Sequence, residues 1–556
     1  MIGLRSRSLA ALVLIVSLAA CKKEGVGDSV DLPADMKPHP AQGDPSKLAV
    51  PPLFANVPAD TPYLFAWMDA IPPEFYARIK AIMQPMIALS ARDFQKRLGE
   101  NAVLDAIVSE LDGKWNEAGF ESLGFSATPR FALYGLGLQP AVMRISVKDE
   151  KAVKATIERV AAKAGKELPA MASKDGRSFW QYSKDGTTGV IALADNQLIL
   201  AIGKDADVAA KLGLIVGGEK PAQSMADGAL VKQLLARNGL GGPVIAFGDT
   251  KQIAGEALVA AGATPSPACT AEIGRLSAKL PYVVFGYGEM SAAKASAAVV
   301  VELGPDAVAD LRALKIEVPG LAAALGGTPL FAMAGGVDLE KAKQVGGAIA
   351  GNLKQLGAAC GLGSLADGAD RAAATMAKPL PEPAGQIAGG AVVVDDFSMS
   401  GGDPMPKKLE GVMMVASPDA HKLFDKAVEL APPIKELGVA ADGKMHDLQI
   451  PMPLPFPVAA GVGDRVIAVT AGTPRRAPTE KLLATHGGGK APLLAVTYDF
   501  GKLADFMLQS MKTQSPAVDP MMLDTFQTMR AMLGRVSFTV DVTDRGLAFW
   551  STLGFK

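Results

Sequence analysis

Residues that perform chemistry are scarce in this chain. Among 556 residues there are 4 histidines and 3 cysteines. His39, His421, His446 and His486 each stand more than four residues from another histidine and from any cysteine, so no zinc-finger spacing is present and no metal or cofactor is expected. No Gly-x-Ser-x-Gly elbow occurs, which removes the usual signal for serine-based acyl transfer. Gly487-Gly488-Gly489-Lys490 is followed by Ala491, where a phosphate loop carries a hydroxyl. Asp395 and Asp396 are adjacent on a strand-like run, so their side chains point to opposite faces and do not share acid-base work. A dominant charge is missing as well. The 56 Lys and Arg nearly cancel the 57 Asp and Glu, leaving −1, whereas a nucleic-acid binder needs a basic face to neutralise phosphates. Aromatic residues make up only 6%, and no run of about 20 apolar residues occurs that would span a bilayer.

What is present begins at the N terminus. Arg5 and Arg7 precede an apolar core from Leu9 to Leu18, and Leu18-Ala19-Ala20-Cys21 closes it with small residues before a cysteine. The core is too short for a spanning helix and stops at Lys22 and Lys23. This pattern resembles the lipobox of bacterial lipoproteins. The resemblance implies cleavage after Ala20, lipid on the Cys21 sulfur and a further acyl chain on its new amine. Removing the two leader arginines takes the net charge from −1 to −3. Acyl chains worth ~0.8 kcal/mol per buried CH₂ make such an anchor permanent. Lys22, rather than Asp, follows the acylated residue, and in that family this favours the outer membrane, facing the periplasm; the inner membrane and the cell surface are the alternatives.

Residues 21–52 read as the acylated cysteine and a Pro-rich tether, because Pro33, Pro38, Pro40, Pro45, Pro51 and Pro52 lie among charges and glycines with almost no apolar periodicity. With Cys21 used for lipid, Cys269 and Cys360 remain as an even pair in an exported chain. A disulfide is the simplest reading, and two separate buried thiols are the alternative.

The body carries an internal repetition. Strand-like runs between 62 and 303 recur in order between 329 and 555: Pro62–Ala66 with Pro329–Ala332, Val142–Val147 with Val412–Ala416, Ala194–Ala201 with Val462–Val469, Pro243–Asp249 with Pro492–Asp499, and Tyr282–Val301 with Val536–Leu553. Alternating strands, tight turns at Lys184-Asp185-Gly186 and Asp544-Arg545-Gly546, and an amphipathic helix carrying Val153, Ile157 and Val160 give an α+β class. The expectation is two tandem, divergent copies of an antiparallel sheet with helices on one face, spanning 53–320 and 328–556 after a signal peptide at 1–20. The run Pro58-Ala59-Asp60-Thr61-Pro62-Tyr63 resembles the start of certain bacterial envelope lipoproteins of uncharacterised activity, and that resemblance implies no chemistry.

Two segments read as contact candidates. In residues 450–458, Ile450, Met452, Leu454 and Phe456 alternate with prolines, which forbids a central strand and leaves an apolar loop for a protein or lipid partner, or a rigid cover on its own domain. Met507, Met511, Met521, Met522, Met529 and Met532 recur at helical spacing, which more often means core. Gly347 and Gly351 read as a close helix contact. The reading these features support is a non-enzymatic binding or scaffold lipoprotein attached to the membrane by its acyl chains. The alternatives are a carrier of an apolar ligand in a cavity between the copies, and an enzyme without a recognisable motif.

Overall fold

The computed structural model describes residues 32–37, 40, 48–80, 102–111, 113–114, 116–226, 229–264, 266–399, 406–450, 454–514 and 520–556. Cys21 and Met452 lie outside them. The chain forms two compact units that interleave in sequence. The N-terminal unit comprises Pro40–Ala261 and Pro281–Val299, and the C-terminal unit comprises Met1–His39, Gly262–Leu280 and Val300–Lys556. Both are mixed α+β, and all the ladders described below are antiparallel.

In the N-terminal unit the strands are β1 Tyr63–Trp67, β2 Phe131–Gly135, β3 Ala141–Ser146, β4 Ala172–Lys174, β5 Arg177–Lys184, β6 Thr187–Ala194, β7 Gln197–Lys204, β8 Gly241–Asp249 and β9 Tyr282–Met290. They pair in the order β4-β5-β6-β7-β3-β2-β1-β8-β9, and β10 (Lys294–Glu302) follows β9 as a hairpin. Three successive hairpins turn on two residues that both have positive φ: Asp175-Gly176, Asp185-Gly186 and Asp195-Asn196. Asp, Asn and Gly tolerate that region, and turns of this twist match the strands they join. The helix Glu150–Lys163 starts where Asp149 Oδ1 accepts from the Lys151 and Ala152 amides. Its Val153 and Ile157 then pack on Leu198 and Ile145.

A second helix, Ala102–Leu111, packs on that one through a buried carboxylate. Glu110 accepts from Lys163 Nζ at 2.6 Å, Lys114 Nζ at 3.0 Å and Arg159 Nε at 3.0 Å. The Lys163 hydrogen bond, helped by the other two cations against the cost of burial, takes its pKa from an ordinary 4.5 to about 2. A depressed carboxyl pKa adds stability that is complete above pH 4.5 and disappears as pH falls toward 2, on the order of 3 kcal/mol in all. Glu110→Gln is therefore expected to be much less stable than the parent at pH 6 and close to it at pH 2.5. Urea unfolding at the two pH values checks this, and an unchanged difference would remove the assignment.

The C-terminal unit contains β11 Phe331–Gly336, β12 Gly389–Met399, β13 Pro406–Ala416, β14 Met445–Asp447, β15 Val458–Val462, β16 Val466–Ala471, β17 Leu494–Asp499, β18 Leu533–Val542 and β19 Gly546–Phe555. Their order is β14-β15-β16-β13-β12-β11-β17-β18-β19. One face of this sheet carries small and aliphatic residues, among them Ala332, Ala334, Val393 and Met414, and buries them against Leu321, Leu325, Leu482 and Leu483. A bulge in β12 sets Asp395 apart from the ladder, and Arg475 holds it bidentately at 2.5 and 2.6 Å while also donating to the Ala324 and Gly326 carbonyls. Asp396 pairs instead with Lys408.

Two features depart from the reading of the sequence. The tandem division at 320–328 is replaced by interleaving, because the helix Pro267–Lys279 packs with the helix Leu339–Ala359 of the C-terminal unit. The Pro-rich segment is also not all spacer. Leu32 and Met36 are buried in the C-terminal core, Met36 to 1% exposure, and Thr539 Oγ1 donates to the Met36 carbonyl at 2.7 Å. Two apolar side chains four residues apart are too little periodicity to register as an element.

Candidate functional site

Cys269 and Cys360 form a disulfide with Cα atoms 4.6 Å apart. The sequence around each prepares the approach. Ser266 Oγ caps its helix by accepting from the Cys269 amide at 3.0 Å and also donates to the Ala359 carbonyl at 3.3 Å, and the Thr264 amide donates to the Cys360 carbonyl at 2.9 Å. Further along the same helix, Arg275 bonds Glu272, Asn352 and Gln355.

The proline-rich loop is held at its end by Gly472 N donating to Pro457 O at 2.9 Å and Leu448 N to Val458 O at 2.9 Å. Ile450, Leu454 and Phe456 are half-buried while Pro455 and Pro457 are exposed, so the apolar side chains lean inward and the prolines face out. The methionine stripe is not core where it is described: Met507 is exposed, and Met529 and Met532 are half-buried. Gly347 and Gly351 face open space. The close approach of the helix pair falls at Gly357, where an added Cβ would sit 2.8 Å from the Ala366 amide nitrogen. Gly488 in the glycine run packs on Val318, where a Cβ would lie 2.6 Å from its carbonyl oxygen, which is a packing role.

The larger apolar surface lies elsewhere. On the face of the C-terminal sheet opposite its core, a row of directly paired residues crosses seven strands: Val469, Met413, Val392, Met333, Val496, Phe538 and Ser551. Met413 is 50% exposed, Met333 41% and Phe538 44%. The next positions on β17, β18 and β19 are Leu494, Val540 and Phe549, again in register. At the other end of the face Phe506 meets Phe397 edge-on at 5.4 Å, and Phe506 and Met507 are each 39% exposed. No charged side chain interrupts the row.

Comparison with protein-family models, with curated proteins and with solved structures finds no match. The site therefore rests on its own geometry.

Polar features gather elsewhere. His421 Nε2 lies 3.2 Å and His486 Nδ1 3.7 Å from the two oxygens of Asp464, and His446 Nε2 is 2.8 Å from Asp442 Oδ1 one helical turn away in sequence. All are on the surface. No group of three or more ligating side chains with metal-site geometry occurs among the described residues. The N-terminal unit has a cavity of 730 Å³ whose wall includes the run Pro58–Thr61 with Lys211, Glu219 and Lys220. Three of its polar groups are engaged with the fold: Thr61 Oγ1 donates to Gly135 O at 2.7 Å, Lys220 Nζ to Asn56 Oδ1 at 2.6 Å, and Lys211 Nζ to Leu136 O. Tyr63 beside it donates to Leu138 O at 3.3 Å, and burial, with the Glu256 charge, raises its pKa.

The feature least visible in the sequence is Arg144, 1% exposed in mid-strand. Nε donates to the Tyr134 hydroxyl at 2.9 Å, Nη1 to Gln197 Oε1 at 3.1 Å, and Nη2 to the Leu214 and Ile215 carbonyls at 3.0 and 2.9 Å. The last two belong to the final turn of the helix Leu212–Val216, where carbonyls lack helical partners and the dipole favours a cation.

Proposed function

We propose that this chain is a lipid-anchored envelope lipoprotein that works by binding or scaffolding rather than by catalysis, and that its body is two divergent copies of one sheet. The duplication is supported by the two strand orders, which match strand for strand from β5 to β9 and from β14 to β18. Starting from Met143 and Met413, which the sequence echo aligns, the directly paired positions run through Leu133, Phe65, Ala246 and Phe285 in one unit and through Val392, Met333, Val496 and Phe538 in the other. This pairs Phe65 with Met333, two residues from the Phe331 that the sequence echo alone aligns with it.

The observation that carries the binding reading is the uninterrupted apolar row, since soluble proteins seldom leave such faces uncovered without a use. Anchoring is supported by the lipobox at Cys21, with no helix among the described residues long and apolar enough to cross a membrane. The disulfide fits an oxidising compartment.

Metabolic labelling with a palmitate analogue tests the anchor. The parent is expected to incorporate label and partition with membranes, and Cys21→Ala to lose both. Label retained in the variant would overturn the lipoprotein assignment.

A further inference from the structure

We propose that the bare apolar face of the C-terminal sheet rests against the acyl region of the bilayer, so that this unit meets the membrane through β11, β12, β13, β17 and β18. This builds on the lipid-anchor reading. The chain length outside the described structure supplies the argument for the occupant. Chain order would put the N-terminal unit next to the anchor, but Leu32 and Met36 are locked into the C-terminal core. Only the ten residues 22–31 then separate the acylated Cys21 from a fixed point on that unit. Eleven residue steps reach at most about 40 Å, and as a flexible coil about 18 Å. A packed sheet layer is roughly 10 Å thick. The tether can therefore pass round the sheet, but it cannot let the unit drift far from the headgroups.

The face itself has the composition such a contact needs. Met413, Met333, Phe538, Leu494 and Phe549 are large, apolar and at least 39% exposed, and Phe506 and Met507 extend the patch onto the helix Phe500–Gln514. Its surroundings carry ion pairs of both signs, such as Lys408 with Asp396 and Glu410, and Arg530 with Asp505, rather than a basic belt. Insertion should therefore be driven by apolar burial, with little dependence on anionic lipid or salt.

The test uses the mature full-length chain carrying Met413→Cys, with Cys21→Ser in the unlipidated form and Cys21 acylated in the reconstituted form. The native disulfide leaves residue 413 as the single thiol of either, and it takes an environment-sensitive fluorophore. A control carries the fluorophore at Lys184→Cys in the N-terminal unit. Vesicles of phosphatidylcholine, with and without 30% phosphatidylglycerol (about a third anionic charge, enough to show a salt-screened component), contain a nitroxide either on the acyl chain or on the headgroup. The expected result is a blue shift and acyl-chain quenching at 413 but not at 184, unchanged by anionic lipid, weaker in the unlipidated protein, and lost in the Met333→Asp/Phe538→Asp variant. Circular dichroism shows whether that variant is folded. A fluorophore at 413 that stays water-exposed in the reconstituted, acylated protein would overturn the proposal while leaving the anchor intact. A blue shift that grows with protein concentration without vesicles would overturn it in favour of a second copy covering the face. Quenching in the unlipidated protein alongside failed palmitate labelling would retain the face contact and remove the anchor.

Discussion

Arg144→Met is expected to be the most damaging single substitution in the N-terminal unit, at about 3–5 kcal/mol in urea unfolding. The guanidinium is buried without a carboxylate, so its loss does not free a partner charge. It removes the donor from Gln197 Oε1 and from the carbonyls of Leu214 and Ile215, while the Tyr134 hydroxyl keeps its bond to the Asn56 carbonyl at 3.2 Å. Each buried polar atom left without a partner costs about 1–3 kcal/mol. The C-terminal sheet fills its mid-sheet positions with apolar side chains instead, with Met414 paired to Ala391 and Ala468, Val393 to Ala332 and Val412, and Val466 to Ala416. All three are buried. The double variant Arg144→Met/Gln197→Leu keeps the volume and removes one of the orphaned acceptors together with the arginine. It should therefore be more stable than Arg144→Met alone, although not restored, since the two helix carbonyls still lack a donor. A double variant whose loss equals the sum of its single losses would show that the network acts through packing alone.

Removing the disulfide is the second large effect. The bridge closes a loop of 91 residues, which in the chain-entropy model corresponds to ~4.6 kcal/mol, or about 7 °C in the melting of a unit this size. Cys269→Ala/Cys360→Ala is expected to lower the melting temperature by that order, and alkylation without reductant should find no free thiol in the folded parent. Both cysteines belong to the C-terminal unit, so the loss should fall on that unit's unfolding. The amide and hydroxyl contacts of Thr264 and Ser266 remain in the variant, so the fold itself should persist. Two reactive thiols in the oxidised, folded protein would refute the bridge.

Sequence pattern and fold agree where local chemistry decides. The Asp185-Gly186 turn, the amphipathic helix carrying Val153 and Ile157 and the alternating strands were legible because each is fixed within a few residues. The bare face was not legible, for a physical reason. Along Phe331-Ala332-Met333-Ala334 and Val392-Val393-Val394 the two faces do not differ in polarity. In the first run the buried side is distinguished by small size, with alanine where the core is tight and Met or Phe where there is space, so a reading based on apolar against polar sees one continuous apolar run. Arg144 was hidden in the same way: an arginine within Val142–Ser146 reads as the exposed alternate, and only the docking of Leu212–Val216, some 70 residues on, makes it internal. The loop at 450–458 is legible from its prolines, but the half-burial of Leu454 and Phe456 is not.

The bond between Met36 and Thr539 spans 503 residues, and this bears on how the chain is made. Contacts of such separation form late, because loop closure precedes any gain from them. In a chain synthesised N terminus first, the segment holding Leu32 and Met36 emerges near the beginning and β18 near the end. The N-terminal unit can mature while synthesis continues, whereas the C-terminal core stays open at one place until the last strands arrive. That interval is when its apolar surfaces are most exposed to wrong partners, and it makes the completion of this unit depend on both ends of the polypeptide being delivered.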